Sequence, residues 1–595
     1  MIVPSFFTMP MAVLSGFGLS MLDRSASRIF LVLLFLLVGC NLAPASQLGS
    51  VAPQAESIGG AEPLGPEGQA SLRAILETGK LPDLRWPDFS DYQKDVANFY
   101  EMCGDALPWV RGMQATPQAQ AMIAVLQSAD EKGLSADDYD GSRWAARLAR
   151  LKPAVRDPKE SDLVSFDVAL TVSAMRYISA LHVGRINPQR LDFAVDVAER
   201  RYDLPEFLRE HLIRASSVPV ALRQVEPLYP GYQRAIPALE RYREIARQDD
   251  GETLPAIKKP IKPGDSYAGV PRLVRLLRLV GDLPEDAVLP PPGNTVYQGA
   301  LVNAVKSFQQ RHGLTPDGRI DAQTLTELNV PLSRRVRQME LTLERWRWLP
   351  DEYRHSPIVV NVPEFRLRAY DDQFKIAVTM KVVVGKPYKH DTPIFMSWMR
   401  SVIFRPYWNV PPSIARTETI PHIERNPNYL TQENMEIVDK HENVVSSGEV
   451  TNEMLQEVRE GKLSFRQRPG PKNSLGLIKF NIPNEYDVYM HDTPATELFS
   501  KSRRDFSHGC IRLEKPVDLA AWVLRDNPGW DVGHIRASMS GSRTEEVTLA
   551  HPISVLIVYG TAVVSEDGSV HFYEDIYRHD AALEQALEKG YPYPR

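Results

Sequence analysis

The stretch "FSHGCIRLEKP" (Phe506–Pro516) decides how the rest of this chain is read. It sets one of only three cysteines in 595 residues directly after a glycine and two residues after a histidine. A short run of strand type, Ile511–Leu513, follows. A second histidine, His491 in "YDVYMHDTP", stands nineteen positions before Cys510. Alternation from Glu485 to His491 predicts a strand with Tyr486, Val488 and Met490 on one face and Asp487, Tyr489 and His491 on the other. His491 would then point away from the more apolar set, toward a cleft.

These residue types suit nucleophilic chemistry. A free thiol has a pKa of about 8.5, so little of it is thiolate at neutral pH unless a neighbour takes the proton. An imidazole, titrating at about 6.5, is the natural base. Gly509 has no Cβ, so backbone N–H groups can turn toward an oxyanion developing on an attacked carbonyl. "SHGC" therefore joins a nucleophile to an expected oxyanion hole. The bland readings are a buried, inert cysteine and a histidine satisfied in a core. His491, His508 and Cys510 are also metal-ligand types, but neither C-x-x-C nor H-E-x-x-H occurs, so no metal or other cofactor is expected.

Outward from this motif the pattern is β. "PIVVNVP", "FRLRAYDDQ", "KIAVTMKVVVG" and "RSVIFRPYW" are β-branched or alternating, and "HPISVLIVYGTAVVSEDGSVHFYED" reads as two strands around a turn at Asp567 and Gly568. Residues 351–595 are thus expected to be mainly β. The interval 409–480 is long for a connection and holds "RPGPKNSLG"; segments of that size are usually functional or disordered, and the bland reading is a solvated insertion.

Upstream, Leu332, Val336, Met339, Leu343 and Trp346 share one face of a linking helix over 332–350. Residues 271–331 supply three short helices, with "TPDG" (Thr315–Gly318) as the turn between the second and third. From 70 to 265 the apolar spacing is helical: Leu163, Phe166, Leu170, Ala174, Tyr177 and Leu181 lie on one face of a helix that Gly184 and Pro188 stop. Cys103, within this scaffold, reads as a small buried hydrophobe. The fold class expected is multi-domain α+β: helical scaffold, three-helix module and mainly-β C-terminal domain.

At the other end, Arg24 and Arg28 precede the ten-residue apolar run "IFLVLLFLLV" (Ile29–Val38), too short to span a bilayer but suited to a secretory signal over residues 1–40. "LVGC" (Leu37–Cys40) resembles a bacterial lipobox with Cys40 as the lipidated residue; the alternative is an ordinary signal cut near Ala43–Ser46. A Pro/Gly/Ala/Ser-rich tether occupies 41–69. The expected location is the periplasm, with membrane contact only through an N-terminal lipid. A formal charge of −6 gives no field for phosphate backbones, so no nucleic-acid partner is expected.

"MHDTP" followed by "SHGCIRL" resembles the signature of the L,D-transpeptidase family with its YkuD-type catalytic domain. "VVVGKPYKHDTPIF", "FRPYWNVPPSIA", "RQRPGPKNSLGLIKF" and "PVDLAAWVL" resemble the large multi-domain members, and "AVKSFQQRHGLTPDGRIDAQTLTEL" resembles the three-helix peptidoglycan-binding-like domain. The likeness covers nearly everything after about residue 70. It implies Cys510 as nucleophile and His491 as general base. Ser507, His508 and Gly509 complete the motif, with the N–H groups of Gly509 and Cys510, aided by His508, holding the oxyanion. The backbone at Asp492 would orient the imidazole, and the interval 409–480 would be a lid over the cleft. Arg512 would pair with a stem-peptide carboxylate, or else with a nearby acid such as Glu514. The reaction implied is acyl transfer from a tetrapeptide stem to the diaminopimelate amine of another, giving 3→3 cross-links, with carbapenems acylating Cys510. Two rivals stand beside it: a hydrolase in which water accepts the acyl group, and a non-catalytic wall-binding protein.

Overall fold

Val382, Val383 and Val384 are all buried, which places the second half of the strand Ile376–Gly385 in a sheet covered on both faces, while its first residues are exposed. The computed structural model describes residues 63–152, 159–200, 202–289, 291, 293–351, 355 and 357–593. The expected signal, Cys40 and the tether as far as residue 62 lie outside the described residues. The sheet is built from β1 (Phe193–Ala194), β2 (Ile358–Asn361), β3 (Arg366–Tyr370), β4 (Ile376–Gly385), β5 (Ile394–Phe404), β6 (Ile478–Asn481), β7 (Met490–His491), β8 (Asp505–Ser507), β9 (Ile511–Leu513) and β10 (Glu545–Val558). Eight of these follow the order β6–β7–β9–β4–β3–β2–β10–β5, and β5 pairs back onto β6, closing the ring into a barrel without a free edge. β8 runs beside β4, and β1 beside β5.

The strand expected over Glu485–His491 is reduced to Met490–His491. Residues Glu485 and Tyr486 form a turn and Asp487 takes φ +52°, which extended alternation cannot absorb. The helices Pro516–Val523, Val532–Ser540 and His579–Glu588 belong to the same C-terminal region, so it is a barrel with helices rather than strands alone.

Residues 409–480 are neither a loop nor a solvated excursion. Trp408–Asn409, Met435–Asp439, Val444–Ser446 and Leu463–Gln467 form their own four-stranded sheet, with the helix Asn452–Arg459, around Leu430, Ile437, Leu455 and Phe465. This subdomain has its own core, and the chain returns to the barrel at β6.

The scaffold centres on the helix Glu160–Val183, stopped by Gly184 at φ +82°. It is long and apolar enough by composition to cross a membrane, yet it lies buried in the scaffold core. Cys103 is buried there as well, its thiol pushed up to about 12 by burial and the nearby Asp167. A helix already begins at Pro66, inside the expected tether, where Glu160 accepts the N–H groups of Gly65 and Gly68 at 3.0 and 2.8 Å. The three-helix module (Val270–Leu279, Ala300–Arg311, Ala322–Leu328) also claims Leu254 and Ile261 for its core, residues expected to belong to the scaffold.

Scaffold and barrel are tied together. β1 comes from the scaffold, and Glu344 of the linking helix Leu332–Arg347 accepts from the Ile186 N–H at 3.1 Å and from Arg185 Nε at 3.2 Å. Tyr591 and Tyr593, at the end of the barrel domain, donate back to Asp91 and Asp138 of the scaffold. The Ser507–Cys510 segment is therefore carried by a closed barrel braced from one side.

Candidate active site

The turn between β8 and β9 carries Ser507 to Cys510. Ser507 Oγ donates to the Cys510 carbonyl at 2.6 Å and accepts the Gly509 N–H at 3.2 Å, a hydroxyl staple across the turn. Gly509 sits at φ +110°, where a Cβ would meet nothing closer than 3.8 Å, so the backbone angle and not crowding calls for glycine. The Gly509 amide, expected to face an oxyanion, is thus committed to Ser507. The Cys510 amide donates to no group among the described residues and is the N–H left for a developing negative charge.

His491 enters from β7, which lies parallel to β9 with His491 opposite Arg512. Its Nδ1 is 2.5 Å from the carbonyl oxygen of Asp492. A carbonyl only accepts, so Nδ1 carries the hydrogen and the neutral ring presents an acceptor at Nε2. Asp492 is itself fixed: its carboxylate accepts from the amides of Leu477 and Thr493, both at 2.8 Å, and it fills the space above Gly476, where a Cβ would fall 2.4 Å from Asp492 Cγ. Burial drives the His491 pKa down to about 3, with the charges of Arg512 and Lys479 adding to the effect.

Cys510 and His491 line one cleft of about 840 Å³. Burial raises the thiol pKa, against the pull of the Tyr489 backbone N–H and hydroxyl, both of which hydrogen-bond the sulfur, and of Lys479 and Arg512. The thiol reaches the Asp487 carbonyl at 3.8 Å. With the imidazole pushed down and the thiol pushed up, both groups rest neutral.

Arg512 borders the cleft with its Nε unpartnered, and among the described residues it has no ion pair. Glu514, its alternative partner, accepts the Lys381 amide at 3.0 Å instead. His508 turns toward the insertion, its Nε2 2.7 Å from Glu418 Oε1 and its ring 4.5 Å from that of His390. Trp408, Tyr429 and Met435 of this subdomain line the same cleft as Cys510, so the subdomain forms part of its wall.

Two cleft residues, Lys479 and Glu418, escaped the sequence reading, and Tyr489, placed there on the His491 face, received no role. Lys479 lies in register with His491, its Nζ 4.0 Å from the centre of the Tyr489 ring. Tyr489 bonds the sulfur and accepts from the Trp408 indole. Glu418 holds His508. A lysine between Ile478 and Phe480, two buried residues of a central strand, was a visible signal; Glu418, on a helical turn of the insertion, offered none.

Comparison with known proteins follows the same division of the chain. Residues 94–239 match a family model described as a scaffold domain, 267–328 one described as "Putative peptidoglycan binding domain", and 356–553 the L,D-transpeptidase catalytic domain. A curated protein of Haemophilus influenzae named "Putative L,D-transpeptidase" is 29% identical over 279 residues, covering 46% of this chain and 55% of that protein. The chain spans about half the length of that relative.

Proposed function

From a chain that carries the three domains of a multi-domain L,D-transpeptidase, we propose a peptidoglycan L,D-transpeptidase that works through a thioester on Cys510. In the first half-reaction the sulfur attacks the carbonyl of the third residue of a tetrapeptide stem. His491 Nε2 takes the thiol proton, the Cys510 N–H faces the oxyanion, and the C–N bond to the terminal D-alanine breaks as the proton passes to the leaving amine. In the second half the diaminopimelate side-chain amine of another stem attacks the thioester. A 3→3 amide forms, the C–S bond breaks, and the proton returns to sulfur through His491.

The observation that carries this reading is the shared cleft of Cys510 and His491, in a domain matched to the catalytic family, with the imidazole's Nδ1 tied down and its Nε2 free to act as a base. Arg512, unpaired at the cleft wall, is the residue suited to a stem carboxylate. The same thiol would take up a carbapenem as a covalent adduct. A lipid on Cys40 would hold the protein to a periplasmic membrane face.

The test is incubation of purified protein with a tetrapeptide-bearing muropeptide. Cross-linked dimers and free D-alanine, both lost in Cys510→Ala, are expected. Tripeptide without dimers would replace transfer by hydrolysis, and dimers from Cys510→Ala would overturn the assignment.

A further inference from the structure

Across three neighbouring strands one row of residues is in register: Lys479 on β6, His491 on β7 and Arg512 on β9. Directly opposed residues of adjacent strands present their side chains to the same face. The base of the cleft is therefore flanked on both sides by cations, and all three side chains line the space around Cys510. Neither cation has a carboxylate partner within ion-pair distance among the described residues, although the chain pairs most of its other buried cations, such as Arg466 with Glu436 and Arg368 with Glu364. Asp487 and Glu546, the acids that act on Lys479, do so from beyond that distance. Arg512 keeps an unpartnered Nε, and Lys479 rests on the Tyr489 ring, 4.0 Å from its centre, which aims the ammonium along the cleft wall.

Two half-buried positive charges beside a thiol are costly unless an anion joins them. We propose that Lys479, together with Arg512, forms a two-cation clamp that holds a carboxylate of the acyl donor next to Cys510, making Lys479 the specificity-determining residue that selects anionic donors. The clamp rests on the acyl-transfer reading only for the identity of that donor, a peptide with a free carboxylate close to the scissile carbonyl. The capture of a carboxylate itself is independent of it.

The experiment compares alkylation of Cys510 in the full chain by iodoacetate and by iodoacetamide, which differ in one negative charge. In both, sulfur displaces iodide, the C–S bond forming as C–I breaks, and the thiol proton passes to His491 or buffer. Thiolate fraction affects both reagents alike, so the ratio of their rates isolates anion capture from any change in thiol acidity. Relative to free cysteine under the same conditions, the ratio should favour iodoacetate by about tenfold or more and decline with added salt. Lys479→Met should remove most of that preference, and Lys479→Arg should keep it. Retained iodoacetamide labelling shows that the variants have kept the site. A wild-type ratio no higher than that of free cysteine, or one unmoved by Lys479→Met, overturns the clamp. A protein that keeps the ratio but leaves muropeptides untouched would lose the transpeptidase reading and retain the clamp.

Discussion

Glu418 of the insertion and His508 of the Ser507–Cys510 turn meet at 2.7 Å, Oε1 to Nε2, and so join the insertion to the barrel at the cleft. Both side chains are partly exposed, at 47% and 33%, which limits the contact to the range of surface ion pairs, about 0.2–1 kcal/mol. Glu418→Ala should therefore raise KM for a muropeptide donor by no more than about fivefold while kcat stays near its wild-type value. Steady-state kinetics decide: an equal loss in kcat would mean that His508 does more than anchor the insertion.

The neutral thiol and imidazole predict an unusual reactivity profile. A preformed thiolate–imidazolium pair would label at a constant rate from mildly acid to neutral pH. Here the His491 pKa lies near 3 and that of the thiol is raised, so no such pair exists at rest. Iodoacetamide labelling of Cys510 should rise with pH from about 6 to beyond about 9. A plateau centred on neutrality would show that the pair ionises without substrate.

Gly476 tests the positioning of His491 separately from its proposed chemistry. A Cβ there would fall on the Asp492 side chain, and the φ of +61° adds strain for any other residue. Gly476→Ala should shift Asp492, and with it the carbonyl that holds His491 Nδ1. Activity is expected to drop about 100-fold or more. Because Cys510 itself is untouched, labelling at high pH, where no base is needed, should persist. Labelling lost at high pH as well would mean that the Ser507–Cys510 turn has collapsed.

The parts of this molecule that were legible in its sequence are those with periodicity or a special backbone need. β4 announced itself through Ile376–Gly385, the scaffold helix through Leu163 to Leu181, and the turn of the candidate site through Ser507–Cys510. What escaped depends on partners distant in sequence. β1 is two residues long and is a strand only because Ile394 and Phe395 lie beside it. The Glu485–His491 alternation was real, yet Asp487 at positive φ breaks the strand while leaving Asp487, Tyr489 and His491 on the same cleft. The Gly509 amide could not be assigned from sequence, because its direction is set by the Ser507 hydroxyl. Glu418 became a site residue only when the insertion folded against the barrel.

Acid stability gives a last prediction, from a histidine outside the cleft. His579 starts the helix His579–Glu588, packed against Phe193 and Tyr559 with ring centres at 4.8 and 4.7 Å, and burial lowers its pKa to about 4. Between about pH 6.5 and about pH 4 the unfolded chain binds a proton at this residue that the native state refuses, so stability rises with pH through that window and is lost as pH falls. At pH 5 the loss from His579 alone is about 2 kcal/mol relative to pH 7. Asp167, raised by burial to about 7, works in the opposite sense over part of the same range, so the total pH dependence is a sum of opposed contributions. The difference between wild type and His579→Gln isolates one of them. Urea unfolding at pH 5 and pH 7 should show the variant losing about 2 kcal/mol less than wild type on acidification. Equal losses in the two proteins would mean that the imidazole is hydrated, and that the junction of scaffold and barrel at β1 is looser than its aromatic packing indicates.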